Sequence, residues 1–121
     1  MFRDEQQKIW AEKSRSVETY YKYAIGRTKW LLGQLEKECV FESAFEVGCC
    51  SGRALEMLSA KFPHVKTGGI DVNPAAIEFA QNKNPLAQLS LCSIYDLDTT
   101  DKWDLVYSMG VFIHIPSDGI D

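Results

Sequence analysis

The stretch FEVGCCSGRALEML, residues 45–58, contains the pattern that decides the fold of this chain. It opens as a short apolar segment, 44–47, and continues through Gly48 and Gly52, which have only small side chains between them. After Gly52 the apolar residues recur at spacings of three and four, as they do in a helix. The stretch therefore predicts a strand, a tight glycine turn and a helix. Such a turn lets the backbone approach a ligand at the strand's carboxyl end, although an ordinary strand-to-helix connection shows the same pattern.

The composition is that of a soluble globular protein with room for one domain. The chain has 121 residues, of which 45% are hydrophobic and 25% are charged. No apolar run approaches the roughly 20 residues that span a bilayer, and the polar start, MFRDEQQKIW, lacks the apolar core of a signal peptide. The net charge of -4, without a basic cluster, argues against nucleic acid as a partner. The cysteines show no metal-ligand spacing and indicate reduced thiols, so we expect a cytoplasmic protein without a membrane or metal site.

The N-terminal segment, residues 1–38, is predicted to be helical. Residues 3–13 form a plausible short helix, and an apolar stripe predicts a longer one over 17–36. Aromatic residues are dense in this segment. We interpret them as packing residues. The alternative is that the segment forms a lid over a ligand crevice, with Trp10 or a tyrosine stacking on a flat group.

Residues 39–121 are predicted to form the α/β part of the same domain. After the first strand and helix, Pro74 begins a second helix, since proline suits the first helical turn. Further strands are predicted at 64–71, 88–92 and 103–109. Strands joined by helical crossovers indicate an α/β fold with a Rossmann-like parallel sheet of about four strands.

A carboxylate lies at the expected distance from the glycine turn. Asp71 ends the second predicted strand, 19 positions after Gly52. An acid about 20 residues beyond such a turn accepts hydrogen bonds from two neighbouring ribose hydroxyls. The dinucleotide pattern G-x-G-x-x-G fails at Cys50 and Arg53, and no phosphate-binding lysine followed by serine or threonine is present. The pattern therefore favours a nucleoside ligand without phosphates.

Three motifs in order resemble the class I S-adenosylmethionine-dependent methyltransferases. The first motif, an acid followed by G-x-G-x-G, is similar to residues 46–52. The second, an acid after the second strand, matches Asp71 in GGIDVNP. The third, at the fourth strand, resembles KWDLVYSMGVFIHIP at residues 102–116. With the opening FRDEQQKIW, the pattern is similar to the methylases associated with pseudaminic acid biosynthesis. The resemblance implies the N-terminal half of a class I methyltransferase fold, with S-adenosylmethionine or S-adenosylhomocysteine as ligand.

The resemblance also implies which residues contact the cofactor. The residues bordering its methionine part would be Glu46, Gly48, Cys49 and Gly52. Asp71 would hold the ribose beside Val72 at the adenine, and the adenine's edge would meet Cys92, Ser93 and Ile94. Ser108 and Gly110 would lie near the sulfonium. Two departures, Cys50 at the middle glycine position and Ser93 where an acid usually accepts from the adenine amino group, imply reduced cofactor affinity.

A catalytic residue is less well indicated. His114 could act as a general base for methyl transfer, because imidazole titrates near neutrality. Its apolar neighbours, Ile113 and Ile115, favour a structural histidine instead. The methyl acceptor is expected to be a small molecule, and a sugar follows from the resemblance only.

The chain ends shortly after the fourth predicted strand, so the resemblance implies a domain truncated there. The fourth strand would then be an exposed apolar edge beside an uncovered sheet face, and we expect a homodimer through that edge or that face. The alternative is a fragment of a longer protein. For function, we expect a methyltransferase-like cofactor-binding protein that is incomplete for catalysis alone. A non-catalytic remnant acting through self-association or protein interaction, and a different nucleotide-binding enzyme, are the alternatives.

Overall fold

A computed structural model of the chain describes residues 21, 25–38, 40–97 and 101–109. The described part contains the helices α1 (Ile25–Glu38), α2 (Arg53–Lys61) and α3 (Pro74–Lys83), and the short 3-10 helix η1 (Ile94–Asp96). Its strands are β1 (Ser43–Val47), β2 (Lys66–Asp71), β3 (Gln88–Leu91) and β4 (Leu105–Ser108). Among these residues, no helix has both the length and the apolar character that crossing a membrane requires.

The strands form one parallel sheet in the order β3-β2-β1-β4. The chain proceeds outward from β1 to β2 and β3, and then returns to the other side of β1 for β4. The direction of winding therefore reverses between β1 and β4, where ligands bind in open parallel sheets. This topology confirms the predicted Rossmann-like α/β fold.

One face of the sheet is covered by helices. Ala44 of β1 is fully buried beneath Leu32 and Leu35 of α1 and Leu58 of α2. Because neighbouring residues on a strand alternate between faces, Glu46 points to the same side as Ala44. The helix-covered face thus has an acidic residue at the carboxyl end of its central strand.

The opposite face is covered at β1 and β2 but exposed at Val106 of β4, so the prediction of an uncovered face is corrected in part. Phe45, Val47 and Ile70 are buried there, packed against the connection between β3 and β4. The ring of Trp103 lies 5.1 Å from that of Phe45 and stacks over Gly68, where a Cβ atom would approach it to 2.6 Å. Trp103 is therefore not the first residue of the fourth strand, as its apolar character had indicated, but part of this cover.

The start of α3 follows the sequence prediction. Pro74 is at the first helical turn, and the Asn73 side chain accepts a hydrogen bond from the Ala75 N–H at 3.0 Å. This cap satisfies one of the free amide groups of the helix start. It also fixes the direction in which the chain leaves Asp71.

Candidate functional site

The turn after β1 adopts the left-handed conformation at every second residue. The φ angles are 76° at Gly48, 48° at Cys50 and 75° at Gly52. The N–H groups of Gly48 and Cys49 both donate to the carbonyl oxygen of Ile70, at 2.8 and 2.9 Å. The turn is therefore fastened to β2 by its backbone, and the spacing of its glycines has a conformational cause.

Gly52 is required by packing as well as by conformation. A Cβ atom there would lie 2.6 Å from Asn84 Nδ2 and 2.8 Å from the Ala80 Cβ. The buried Asn84 side chain donates to the carbonyl oxygens of Gly52, at 3.1 Å, and Ala80, at 3.0 Å. Asn84 thus joins the end of α3 to the start of α2. This role was not identified from the sequence, because the hydrogen bond joins residues that are 32 positions apart.

Asp71 joins the turn to the end of β2. Its Oδ2 accepts from the Cys50 N–H at 2.8 Å, and its Oδ1 accepts from the Asn73 N–H at 2.9 Å. Burial raises the pKa of Asp71, and the N–H groups of Asn73, Cys50 and Val72 oppose that rise. A carboxylate offers about four acceptor positions. The half-buried Asp71 therefore has capacity left for the hydroxyl groups of a ligand.

Glu46 is a second carboxyl group at the same edge, and it is 3% exposed. Tyr107, its partner in the β1–β4 register, donates its hydroxyl to Glu46 Oε1 at 3.2 Å. Burial raises the pKa of Glu46 to about 8; Tyr107 and Arg27 lower it, and the negative charge of Asp71 raises it further. Burial and the neighbouring Glu46 likewise raise the pKa of Tyr107. Neither Tyr107 nor Arg27 was identified from the sequence, because their relation to Glu46 depends on strand pairing and helix packing.

The thiols of the turn are held in their protonated form. Cys49 is buried against Gly69, whose absent Cβ would lie 3.1 Å from the Cys49 Cβ. Burial raises the pKa of Cys49, and burial followed by the charge of Asp71 raises the pKa of Cys50 to about 12. The side chain of Cys49 therefore fills the interior, and any contact it makes with a ligand involves its backbone. Within the described residues, no group of three or more histidine, cysteine or acidic side chains could hold a metal ion.

The residues that follow β3 lie beside Asp71. The Cys92 N–H donates to the Asp71 carbonyl oxygen at 2.9 Å, and Cys92 and Ile94 pack against the apolar cluster of Phe45, Val47 and Ile70. The hydroxyl of Ser93 accepts from the Tyr95 N–H at 3.2 Å and caps η1. Val72 is half-buried after Asp71. Cys92 and Val72 thus lie next to Asp71, Cys92 directly after β3 and Val72 directly after β2.

The end of β4 completes the described part of the site. Ser108 is paired in register with Val47, and its hydroxyl oxygen is buried without a hydrogen-bond partner in the described part of the chain. A buried hydroxyl without a partner is costly and is a position for a polar ligand atom. Gly110 and His114, the other candidates from this region, lie outside the described residues.

A polar and aromatic cluster joins Tyr21 to α2 and α3. The Tyr21 hydroxyl accepts from Arg53 at 2.6 Å and lies 2.8 Å from both carboxylate oxygens of Glu56. Its ring packs edge-on against Phe79, with 5.3 Å between the ring centroids. At Tyr21, these contacts agree with the interpretation that the aromatic residues of the N-terminal segment are packing residues. Trp10 lies outside the described residues, and Trp30 is 68% exposed.

Comparison with protein-family models finds a methyltransferase domain over residues 45–120. This range contains the glycine turn, Asp71 and the fourth-strand motif. Among curated proteins, the trans-aconitate 2-methyltransferase of Methylobacterium radiotolerans is 27% identical over 73 residues, which make up 60% of this chain and 28% of that protein.

Two solved structures show the same fold at low sequence identity. A TehB-like SAM-dependent methyltransferase from Corynebacterium glutamicum matches with a TM-score of 0.67 and 20% identity, over 93% of this chain and 60% of that protein. The plantazolicin methyltransferase BpumL, in complex with a desmethylPZN analog and SAH, matches with a TM-score of 0.60 and 21% identity, over 88% and 49%. The chain spans less than two thirds of the length of each of these three relatives.

Proposed function

The chain belongs to the methyltransferase domain family, and we propose on that premise that it binds S-adenosylmethionine, or the S-adenosylhomocysteine left after methyl transfer. The observation that carries the proposal is the convergence of the glycine turn and Asp71 at the carboxyl ends of β1 and β2. The relatives support it, because one solved structure is described as SAM-dependent and another contains SAH. The same site in this chain has a carboxylate with free acceptor capacity and a hydroxyl without a partner among the described residues.

Each part of the site has a proposed role. Asp71 accepts from the ribose hydroxyls, because a carboxylate accepts at both oxygens and donates at neither. The adenine lies against Val72 and the segment Cys92, Ser93 and Ile94. The turn from Gly48 through Cys49 to Gly52, with Glu46, borders the methionine part, and Ser108 and Gly110 border the sulfur.

The bound cofactor supplies a methyl group on a positively charged sulfur. The work of the protein is therefore to position this methyl group and its acceptor, which can contribute a large part of the rate. We propose a small-molecule acceptor, in keeping with relatives named for trans-aconitate and for plantazolicin. A sugar acceptor, the association with pseudaminic acid biosynthesis and a base role for His114 remain predictions from the sequence.

We also propose that these 121 residues bind the cofactor without completing methyl transfer unaided. The support is the extent of the match, since the chain covers 28% of one relative and 49% of another. Transfer of a labelled methyl group from S-adenosylmethionine to small-molecule acceptors, sugars included, would contradict this part of the proposal and leave cofactor binding intact.

Calorimetric titration with S-adenosylhomocysteine tests the proposed function. We expect binding by the wild-type chain and a loss of roughly 10- to 150-fold in Asp71→Asn, since a hydrogen bond to a charged group contributes about 1.5–3 kcal/mol. The matched control is Glu78→Gln, which makes the same carboxylate-to-amide change at an exposed position on α3. No binding at millimolar ligand would contradict the proposal, and binding of a nicotinamide dinucleotide instead would favour a different nucleotide-binding enzyme.

A second candidate function is self-association without catalysis. It is favoured by β4, an edge strand of the described sheet on which Val106 is 58% exposed. Such an edge is a template for pairing with another chain. We propose a homodimer that pairs the β4 edges of two copies, which is compatible with cofactor binding by each copy.

A further inference from the structure

The pair formed by Glu46 and Tyr107 is unusual for a carboxyl group beside a proposed ligand site. Glu46 is on β1, two residues before the turn begins at Gly48, and almost none of its surface is accessible. Among the described residues, one hydrogen bond reaches it from a side chain, the 3.2 Å bond from the Tyr107 hydroxyl. An ionised carboxylate with so little compensation is costly to bury, and the group keeps its proton instead.

The groups around Glu46 stabilise its ionised form only weakly, so a bound ligand can change its protonation state. Tyr107 faces it from β4, Arg27 from α1 and Asp71 from β2, while Cys49 and Cys50 face it from the turn. Arg27 is exposed, and Glu46 forms no ion pair within the described residues, so no cation of that part neutralises it at close range. The carboxyl group of Asp71, which accepts backbone hydrogen bonds from Cys50 and Asn73, disfavours a negative charge on Glu46.

A ligand of the proposed class brings the missing positive charge. S-adenosylhomocysteine has an adenosine end with hydroxyl groups and a zwitterionic amino acid end, whose ammonium group is the part that can pair with a carboxylate. If Asp71 on β2 takes the ribose, the amino acid end extends toward β1 and β4, where Glu46 and Tyr107 lie. An ammonium within about 4–6 Å of a carboxyl group favours the ionised form of that group.

We propose that Glu46 is protonated while the site is empty and ionises when the ligand's ammonium binds, so that cofactor binding releases a proton. The O–H bond of the Glu46 carboxyl group breaks, the proton passes to solvent, and the carboxylate so formed pairs with the ammonium. Tyr107 is the positioning residue, because its hydroxyl donates to the carboxylate and stabilises it. This inference rests on the proposed function and adds a pH dependence to it.

Proton release is measured directly by titrating S-adenosylhomocysteine in two buffers with different ionisation enthalpies, such as phosphate and Tris, at pH 7. Because the pKa of Glu46 is about 8, close to one proton is expected per ligand. By thermodynamic linkage between proton release and binding, the affinity for S-adenosylhomocysteine should rise close to tenfold from pH 6 to pH 7 and level off above about pH 8. The matched ligand, 5′-methylthioadenosine, keeps the adenosine and lacks the ammonium, so its affinity should be constant over this range.

Two variants separate a titrating role from a structural one. Glu46→Gln mimics the neutral carboxyl group, and it should abolish both the proton release and the tenfold rise. Tyr107→Phe removes the donor to the carboxylate, so the affinity profile should shift to higher pH, with weaker binding at pH 7 that is largely regained by pH 8.5. A residue that merely supported the fold would lower the affinity equally at all pH values.

The outcomes distinguish this inference from the proposed function. Tight binding of S-adenosylhomocysteine without proton release, or an unchanged pH profile in Glu46→Gln, overturns the inference and leaves the proposed function standing. Absence of binding at every pH overturns both. If Tyr107→Phe does not fold, the two-buffer titration of wild type and Glu46→Gln decides the question.

Discussion

Three alternating residues determine the shape of the turn after β1. Positions 48, 50 and 52 all have φ values in the left-handed region, which glycine adopts without strain. The sequence has a cysteine at the middle position, and the family resemblance predicted reduced cofactor affinity from it. The structure adds a backbone reason, since a residue with a Cβ atom at φ 48° carries a cost of roughly 1–2 kcal/mol.

Cys50→Gly should therefore stabilise the chain. We expect the free energy of unfolding to rise by about 0.5–1 kcal/mol, because relief of strain is partly offset by the greater freedom of glycine in the unfolded chain. The affinity for S-adenosylhomocysteine should rise as well, since the turn no longer carries a side chain at this position. Urea denaturation and calorimetry measure the two effects.

The control is the same replacement at Cys92, which is outside the positive-φ residues of the described part and packs against the apolar cluster of Phe45. Cys92→Gly should lower stability. If Cys50→Gly were less stable than the wild-type chain, favourable contacts of the Cys50 side chain would outweigh the backbone strain at this position.

Glu46 makes stability depend on pH in the folded chain itself. Its pKa is about 8 when folded and near 4.5 when unfolded, so between these values the folded state holds a proton that the unfolded state has lost. Its contribution to stability therefore falls as pH rises from about 5 to 8. Glu46→Gln should become more stable relative to wild type across this range, as measured by urea denaturation at pH 5.5 and pH 8. An equal difference at both pH values would contradict the raised pKa.

At the scale of elements, local sequence patterns predicted where one helix starts and where one strand lies. The start of α3 followed from Asn73 and Pro74, and the alternation of apolar residues located β3 at 88–91 within one residue. Both signals are local, since a cap and a pleat depend on neighbours along the chain. Trp103 was placed on the fourth strand because periodicity alone does not separate a strand residue from an apolar residue that packs over the sheet.

The site was predicted less completely than the elements. Gly48, Gly52 and Asp71 were identified because their spacing is a local feature of the sequence. Asn84 was not, because its bond to the Gly52 carbonyl spans 32 residues and forms only when α3 packs beside α2. Tyr107 was missed for the same reason, since its partner Glu46 is 61 residues away.

The contact between α3 and α2 gives a prediction at this scale. Asn84→Ala removes two buried hydrogen bonds and leaves the Gly52 carbonyl without that partner, so we expect a loss of about 1–3 kcal/mol in the free energy of unfolding. Hydrogen exchange of the amides at the start of α2 should speed up more than exchange in β1. The matched control, Asn82→Ala at an exposed position on the same helix, should change stability by no more than about 0.5 kcal/mol.

At the scale of the whole molecule, the two sheet faces and the β4 edge have different environments. Helices cover the face of Ala44, and the β3–β4 connection covers the face of Phe45 through Trp103. The β4 edge is not paired with another strand in the described sheet, and Val106 on it is 58% exposed. Val106 is in register with Phe45, so the surface that favours association is the β4 edge together with the adjoining exposed part of the Phe45 face.

Val106→Lys tests whether the β4 edge pairs two copies of the chain. Lysine on an edge strand opposes strand pairing, and at position 106 it would place a charge on the Phe45 face beside the edge. We expect a dimer of the wild-type chain at micromolar concentration and a folded monomer of the variant, by light scattering with circular dichroism as the check on folding. Leu86→Lys is the matched control, because Leu86 is 95% exposed and precedes β3 at the opposite side of the sheet, so that variant should remain dimeric. A wild-type monomer would rule out the homodimer, while a dimer that survives Val106→Lys would place the interface elsewhere on the molecule.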